Sequence, residues 1–425
     1  MYSRSEHTIS RTQISENALK VLYRLKKSGY EAYLVGGCVR DLLLGLEPKD
    51  FDVATNASPE QVRKAFRNCR LIGRRFRLAH VHFGREIIEV ATFRSSEKGN
   101  ENDQKVHEDG RLLRDNVFGN IEEDAWRRDF TVNALYYNIQ DFSIVDYTSG
   151  MEDHKAGILR LIGDPITRYR EDPVRMLRAI RFAVKLGFTL DPECEKPIYE
   201  LAPLLEGIPA ARLYDEALKM FLTGKAVQTF EMLRHYGLFS ALFPQSEQCL
   251  AVEENGFPRL FIARALENSD NRIAEGKSVT PYFLLSAFLW EPVQLLAKEK
   301  INEGDDANFA LQNAASDVLS KQVKALSIPK RVTQSMREVW LLQERFGRRI
   351  GARPFRLLEH PRFRAAYDFL LLRAETGGAE KELAEWWTKF QFANDAEQKK
   401  MARPPRKQKK RKKKVVKQTT PKNDG

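Results

Sequence analysis

Asp50 and Asp52, separated only by Phe51, are the pair in this chain whose type and spacing suit metal-assisted phosphate chemistry. In an extended segment alternate side chains share a face, so the two acids point one way and Phe51 points into the core. Held about 6 Å apart, they repel by roughly 3 kcal/mol at an effective dielectric near 20. A divalent cation turns that repulsion into binding, and Mg²⁺, or Mn²⁺ with similar ligands, takes a few carboxylates together with substrate phosphates. Upstream, Tyr33-Leu34-Val35 enters Gly36-Gly37, and a helical pattern from Cys38 to Leu44 follows before Gly45 ends it. Such a strand, glycine turn and helix offers backbone N–H groups at Gly36 and Gly37 to phosphates, with Arg40 and Asp41 a turn further on. Taken singly, the acidic pair also reads as a solvated strand edge and the glycines as a tight turn.

Two later stretches carry further chemistry. In Leu112 to Tyr137, Glu122, Glu123 and Asp124 precede Arg127-Arg128-Asp129, and an apolar pattern of helical type carries Asn133. Paired arginines hold triphosphate oxygens well, while Asp129 can add a carboxylate to a metal site or orient a sugar hydroxyl; an ordinary Arg-Asp ion pair explains the same residues. Further on, Asp172, Arg175 and Arg178 stand three residues apart, a spacing that puts them on one helix face. One acceptor and two donors in a row can read the edge of a base, and a salt-bridged exposed helix is the plainer alternative.

Together these motifs resemble the nucleotidyltransferase signature of the polymerase beta superfamily, in the class that contains bacterial poly(A) polymerases and tRNA CCA-adding enzymes. The resemblance spans about Ser10 to Phe392, and it departs from the family's glycine motif at Cys38, where Gly is frequent. It implies that Asp129 joins Asp50 and Asp52 as the third active-site carboxylate, that Gly36, Gly37, Arg40, Asp41, Arg128 and Asn133 contact the nucleotide, and that Asp172, Arg175 and Arg178 recognise the base. Glu89, on the strand before Thr92, competes for the third carboxylate role, and spacing does not decide between the two. The implied reaction is template-independent addition of AMP from ATP to RNA 3′ ends, among them mRNA, small regulatory RNA and tRNA precursors, with RNA-decay machinery as a partner. The stretch from Leu112 to Phe130, the segment Leu357 to Glu375 and the basic C-terminus resemble the polyadenylating branch. CCA addition is the alternative within the class, and a non-catalytic RNA-binding adaptor is the alternative outside it.

The elements that must position these residues follow from periodicity. Ile14, Leu19, Leu22 and Leu25 mark an amphipathic helix ending at Gly29, and Ser58-Pro59 starts another that runs to about Asn68. Leu71-Ile72, Ala79 to Phe83 and Glu86 to Thr92 read as strands, with Gly84-Arg85 as a hairpin turn. His80 and His82 share a strand face, without a third ligand at metal-site spacing. Ser95 to Gly110 is polar and aperiodic and reads as a mobile loop. From Pro197 onward the pattern is helical almost throughout. The fold class is therefore α+β: a mixed-sheet nucleotidyltransferase head over residues 1–150, a base-recognising neck over 151–240, a helical, RNA-binding body over 241–394, and a disordered basic tail over 395–425.

Charge and cysteine usage set the surroundings. Of 70 Lys+Arg and 58 Asp+Glu, residues 399–425 hold 13 bases and a single acid, leaving 57 of each sign elsewhere, so the net charge of +12 belongs to the tail. Arg406, Lys407, Lys409, Lys410 and Arg411 lie in that tail, and Arg74 and Arg75 form a second basic patch; both suit RNA phosphates. If about five tail charges pair with single-stranded RNA, log affinity falls against log salt with a slope near −3.5. Arg345 to Arg356 is basic too, with Phe346 and Phe355 interleaved either for base stacking or as core. The four scattered cysteines read as reduced thiols, and the absence of any apolar run near eighteen residues, with a polar N-terminus, points to a cytoplasmic protein without a transmembrane segment.

Overall fold

The computed structural model describes residues 1–404 apart from 74–76, 96–103, 107–111, 116 and 252–259, and gives the backbone alone for 104–106 and 112–115. The RNA contacts expected at Arg74, Arg75, Arg406, Lys407, Lys409, Lys410 and Arg411 lie outside the described residues, as does most of the loop expected over Ser95 to Gly110. Inside that loop, however, Gln104–Val106 pairs antiparallel with Leu112–Asp115, so part of it is a two-stranded ladder.

The head begins with α1 (Glu16–Lys27), capped by the Ser15 hydroxyl accepting from the Ala18 N–H. Its buried face, Ala18, Val21, Leu22 and Leu25, packs on a sheet whose first strands are β1 (Ala32–Val35) and, after the helix α2 (Gly37–Leu43), β2 (Asp52–Thr55). Next come α3 (Pro59–Ala65), three residues shorter than expected, then β3 (Cys69–Ile72), β4 (Leu78–Phe83) and β5 (Glu86–Thr92). After the small ladder of β6 (Gln104–Val106) and β7 (Leu112–Asp115) and a short α4 (Ile121–Trp126), β8 (Leu135–Tyr137) and β9 (Ile144–Asp146) complete the head. The seven-stranded order is β3-β4-β5-β2-β1-β8-β9, with β2 and β5 parallel and every other pair antiparallel.

The sheet's two faces are sorted by side-chain alternation. Val53, Ala79, Val81, Ile88 and Val90 face α1 and α3 in one core, whereas Val35, Ala54, Phe93 and Tyr136 lie in a second cluster on the other side. Asn133 corrects the expected helix: it ends a single 3₁₀ turn, Thr131–Asn133, that feeds the central strand β8. Leu135, Tyr136 and Tyr137 are all buried, and a short apolar run buried on both faces serves a central strand as well as a helix.

The neck starts with α5 (Gly150–Ala156), α6 (Pro165–Glu171) and α7 (Val174–Leu186), with the short parallel pair Ile158–Leu159 and Thr189–Leu190 beside them. One large core then runs from Phe130 and Val132 of the head through the α7 face to the helices Pro281–Asn302, Ala307–Ala325 and Lys330–Gln343. A separate C-terminal core gathers Phe346, Leu357, Phe363, Tyr367, Trp387 and Phe390. Phe346 thus resolves as a core residue, while Phe355 is half-buried against that core, edge-on to Phe390. Among the described residues no helix is long and apolar enough to cross a membrane.

Trp387 is fully buried and donates its indole N–H to the Phe346 carbonyl at 2.9 Å. Trp387→Ala should cost about 3–5 kcal/mol, read as loss of hydrogen-exchange protection across Phe363–Glu375 and Lys381–Phe392 while the strands of the head keep theirs.

Candidate active site

The parallel pairing of β2 and β5 sets Asp52 directly opposite Glu89, and the next strand sets His80 opposite Glu89. All three alternate with residues of the α1-side core, so they stand in a row on the other face of the sheet. The His80 Nε2 lies 3.8 Å from a Glu89 oxygen. Asp50 sits on the exposed bend just before β2, and Phe51 between the two acids is buried, as its alternation requires. Burial, then the charge of Glu89, then that of Asp50 push the Asp52 carboxyl up to about 6, against the pull of Arg128 and His80. Burial and Asp50 also raise Glu89.

Arg128 is the cation in this group, and its position is built from behind. Asp124, almost fully buried, accepts from the Arg128 Nη2 at 2.8 Å and from the Tyr136 hydroxyl at 2.7 Å, and Tyr136 in turn accepts from the Arg128 Nε at 2.9 Å. Burial opposes the charge on both partners, yet the pairing outweighs it, holding Asp124 ionised below its usual range and Arg128 protonated above its own. The guanidinium reaches the glycine turn: a Cβ placed on Gly36 would lie 3.6 Å from the Arg128 Nη1. Gly36 itself has φ +78° and ψ −132°, a backbone conformation that L side chains rarely adopt.

A second polar lattice lies between head and neck. Arg40, buried in α2, donates through Nε to Asp41 at 2.8 Å and through Nη1 to the Asn133 carbonyl oxygen at 2.6 Å. Asn133 returns its amide to Asp129 at 3.4 Å, and Asp129 also accepts from the Phe130 N–H and from Arg178. Burial alone would raise Asp129, but Arg178 and these donors hold it below the ordinary carboxylate range. Asp41 completes the tie by accepting from Lys185 of α7 at 3.2 Å.

Asp129 accepts from Arg178, Asn133 and a backbone N–H, and the acid directly opposite Asp52 is Glu89. The Gly36 N–H donates to the Leu135 carbonyl at 3.3 Å, and the Arg40 guanidinium donates to Asp41 and Asn133. Asp172 does not share a helix face with Arg175 and Arg178. The following proline disfavours helical backbone at Asp172, which is extended (φ −149°, ψ 90°) at the corner between α6 and α7. Both its oxygens accept from Arg212, at 2.8 and 2.7 Å, while Arg175 pairs with Glu171 at 2.9 Å and Arg178 with Asp129. Sequence reasoning missed Arg212 and Lys185, whose charge only the fold brings near, and left Asp124 without a role although its spacing of four from Arg128 was visible. Cys38, buried with its thiol pushed up to about 12 by burial, is inert packing in α2.

Facing carboxylates of this kind, Asp52 raised by burial, Glu89 and Asp50 and Glu89 raised by burial and Asp50, suit a divalent cation that shares its shell with substrate phosphates and water. Among the described residues no group of three or more His, Cys, Asp or Glu side chains is placed to hold a metal ion. The mixed sheet, the glycine turn and the acidic row define a nucleotidyltransferase head joined to a helical body. A solved tRNA-processing enzyme complex has the same fold, with a TM-score of 0.60, 24% identity and coverage of 87% of this chain and 90% of that one. Residues 32–160 match the poly A polymerase head domain, 187–250 the probable RNA and SrmB-binding site of polymerase A, and 303–420 the polymerase A arginine-rich C-terminus. The poly(A) polymerase I of Salmonella typhi is 54% identical over 404 residues, 94% of this chain and 87% of that protein. By contrast, the CCA-adding enzyme of Lactobacillus gasseri is 35% identical over 264 residues, 59% of this chain and 64% of that protein. The chain belongs to the bacterial poly(A) polymerase family, within a superfamily of nucleotidyltransferases that generally use divalent metal ions.

Because the folded pKa of Asp52 lies above the ordinary value, the folded state holds this proton more tightly than the unfolded chain. Its contribution to stability is therefore complete below about pH 4 and is lost as pH rises through about 6. In metal-free protein, Asp52→Asn should remove that loss. Denaturant unfolding across pH should show the variant gaining on the unmodified protein between about pH 4 and 6 and keeping a constant advantage above.

Proposed function

We propose that this protein transfers AMP from ATP to RNA 3′ ends without a template and releases pyrophosphate, in the cytoplasm, providing 3′ tails to RNA-decay machinery. The observation that carries the reading is the Asp52–Glu89 pairing beside Arg128, on a chain similar to poly(A) polymerase I along most of its length. In this reading Asp50, Asp52 and Glu89 are the acidic set at the reacting atoms, and Asp50 and Asp52 hold Mg²⁺ or Mn²⁺. When bound there, the metal acidifies the RNA 3′-hydroxyl and offsets charge on the departing pyrophosphate.

The protein's own residues do the rest. Arg128, kept protonated by Asp124 and Tyr136, meets the triphosphate beside the Gly36-Gly37 turn, which its guanidinium reaches. Arg40, Asp41 and Asn133 position this turn from behind, and Asp129 acts as a positioning residue through Arg178 and Asn133. Asp172, Arg175 and Arg178 recognise adenine by exchanging their present partners, Arg212, Glu171 and Asp129, for the base edge.

CCA addition is the second reading, because the head is shared with CCA-adding enzymes. That sequence similarity covers 59% of this chain, whereas residues 303–420 match the arginine-rich C-terminus of polymerase A. A non-catalytic adaptor would not need the buried, mutually repelling acids.

Extension of an unstructured RNA with each nucleoside triphosphate supplied alone tests the choice. ATP should give long tails, and CTP little product. Ordered CTP and ATP incorporation ending at CCA would contradict the assignment. Asp50→Ala should lower kcat by at least about 10³-fold, near 4 kcal/mol of activation free energy, and Glu89→Gln should fall further than Asp129→Asn at saturating RNA.

A further inference from the structure

Four arginines, Arg345, Arg348, Arg353 and Arg356, line one small concavity of about 110 Å³ whose floor is Leu357. That is the space of three or four waters, enough for a tetrahedral anion and too small for a nucleoside. All four are exposed, and none forms an ion pair within the described residues. The segment carrying them is nonetheless fixed. Phe346, Pro354 and Leu357 are buried in the C-terminal core, and Phe346 accepts the Trp387 indole N–H. Arg349, in the same segment, turns instead over the Trp386 ring at 5.9 Å. Four guanidiniums converging without a carboxylate repel one another, and a bound anion is the group that relieves this.

A second observation points the same way. The Gly351 N–H donates to the Ala402 carbonyl at 2.9 Å, so the chain leaves the folded body against this very segment. The Lys/Arg run that begins at Arg403 therefore starts at the edge of the arginine concavity. None of the residues in the C-terminal core comes from the head that bears Asp52.

We propose that the concavity of Arg345, Arg348, Arg353 and Arg356 is a phosphate site for the RNA substrate, holding one backbone phosphate upstream of the reacting 3′ end. This rests on the RNA-extending function proposed above. The site grips bidentately a phosphodiester of any sequence. Its work is retention of long substrates; a primer too short to span from head to C-terminal core does not reach it.

The quadruple variant R345Q/R348Q/R353Q/R356Q of the full chain tests this, with labelled-RNA binding measured separately from extension. Expected are an unchanged kcat and KM on a primer of about six nucleotides, within the length scale of one single-strand site. On a long unstructured RNA, KM should rise several-fold at unchanged kcat. The slope of log affinity against log salt should lose about 0.7, the share of one single-strand phosphate. An unchanged long-RNA KM and salt slope would overturn the proposal, and so would an equal loss on both primers. Unchanged RNA binding together with lost binding to anionic phospholipid vesicles would assign the arginines to a membrane surface and overturn it too. If the unmodified protein extends no RNA, the proposed function falls, while the salt slope of RNA binding still decides the site.

Discussion

The head is organised around an unfavourable interaction: two carboxylates, Asp52 and Glu89, placed opposite each other by parallel pairing of β2 and β5, with Asp50 close by on an exposed bend. Packing on one face of the sheet fixes the register, because a one-residue slip would put Val53 and Val90 on the wrong side. Core burial therefore enforces charge repulsion on the other face. Such strain persists in a folded protein where the surroundings over-determine it, and a divalent cation is the kind of group that relieves it.

Around that row the protein arranges cations with fixed partners. Arg128 is held by Asp124 and Tyr136, Arg40 by Asp41 and Asn133, and Arg178 by Asp129. The last two sets, with Lys185 on Asp41, link α2 of the head to α7 of the neck. Head and neck are further joined by Phe130, which packs edge-on to Phe182, and Phe182 lies in turn beneath the guanidiniums of Arg40, Arg178 and Arg181.

Much of this was legible in the residues. The strand, glycine turn and helix, the Ser58 cap, the β4–β5 hairpin and the burial of Phe51 follow from local periodicity and turn chemistry, which need no tertiary information. What stayed hidden depends on contacts distant in sequence. Glu89 is 37 positions from Asp52, and only the sheet order brings them together. Arg178 lies 49 positions from Asp129, and no local pattern shows that the two pair. At Asp172 a local rule was available: the proline that follows breaks the helix, outweighing the three-residue spacing. Asn133 misled for another reason, since a short buried apolar run fits helix and central strand alike.

The account stands or falls on which acid faces Asp52. Carboxyl carbon chemical shifts of Asp52, followed across pH in metal-free protein, measure this directly when compared among the unmodified chain, Glu89→Gln and Asp129→Asn. Removing the Glu89 charge should shift the Asp52 midpoint down from about 6 toward the ordinary range, and Asp129→Asn should leave it in place. A midpoint that moves with Asp129→Asn and ignores Glu89→Gln would contradict it.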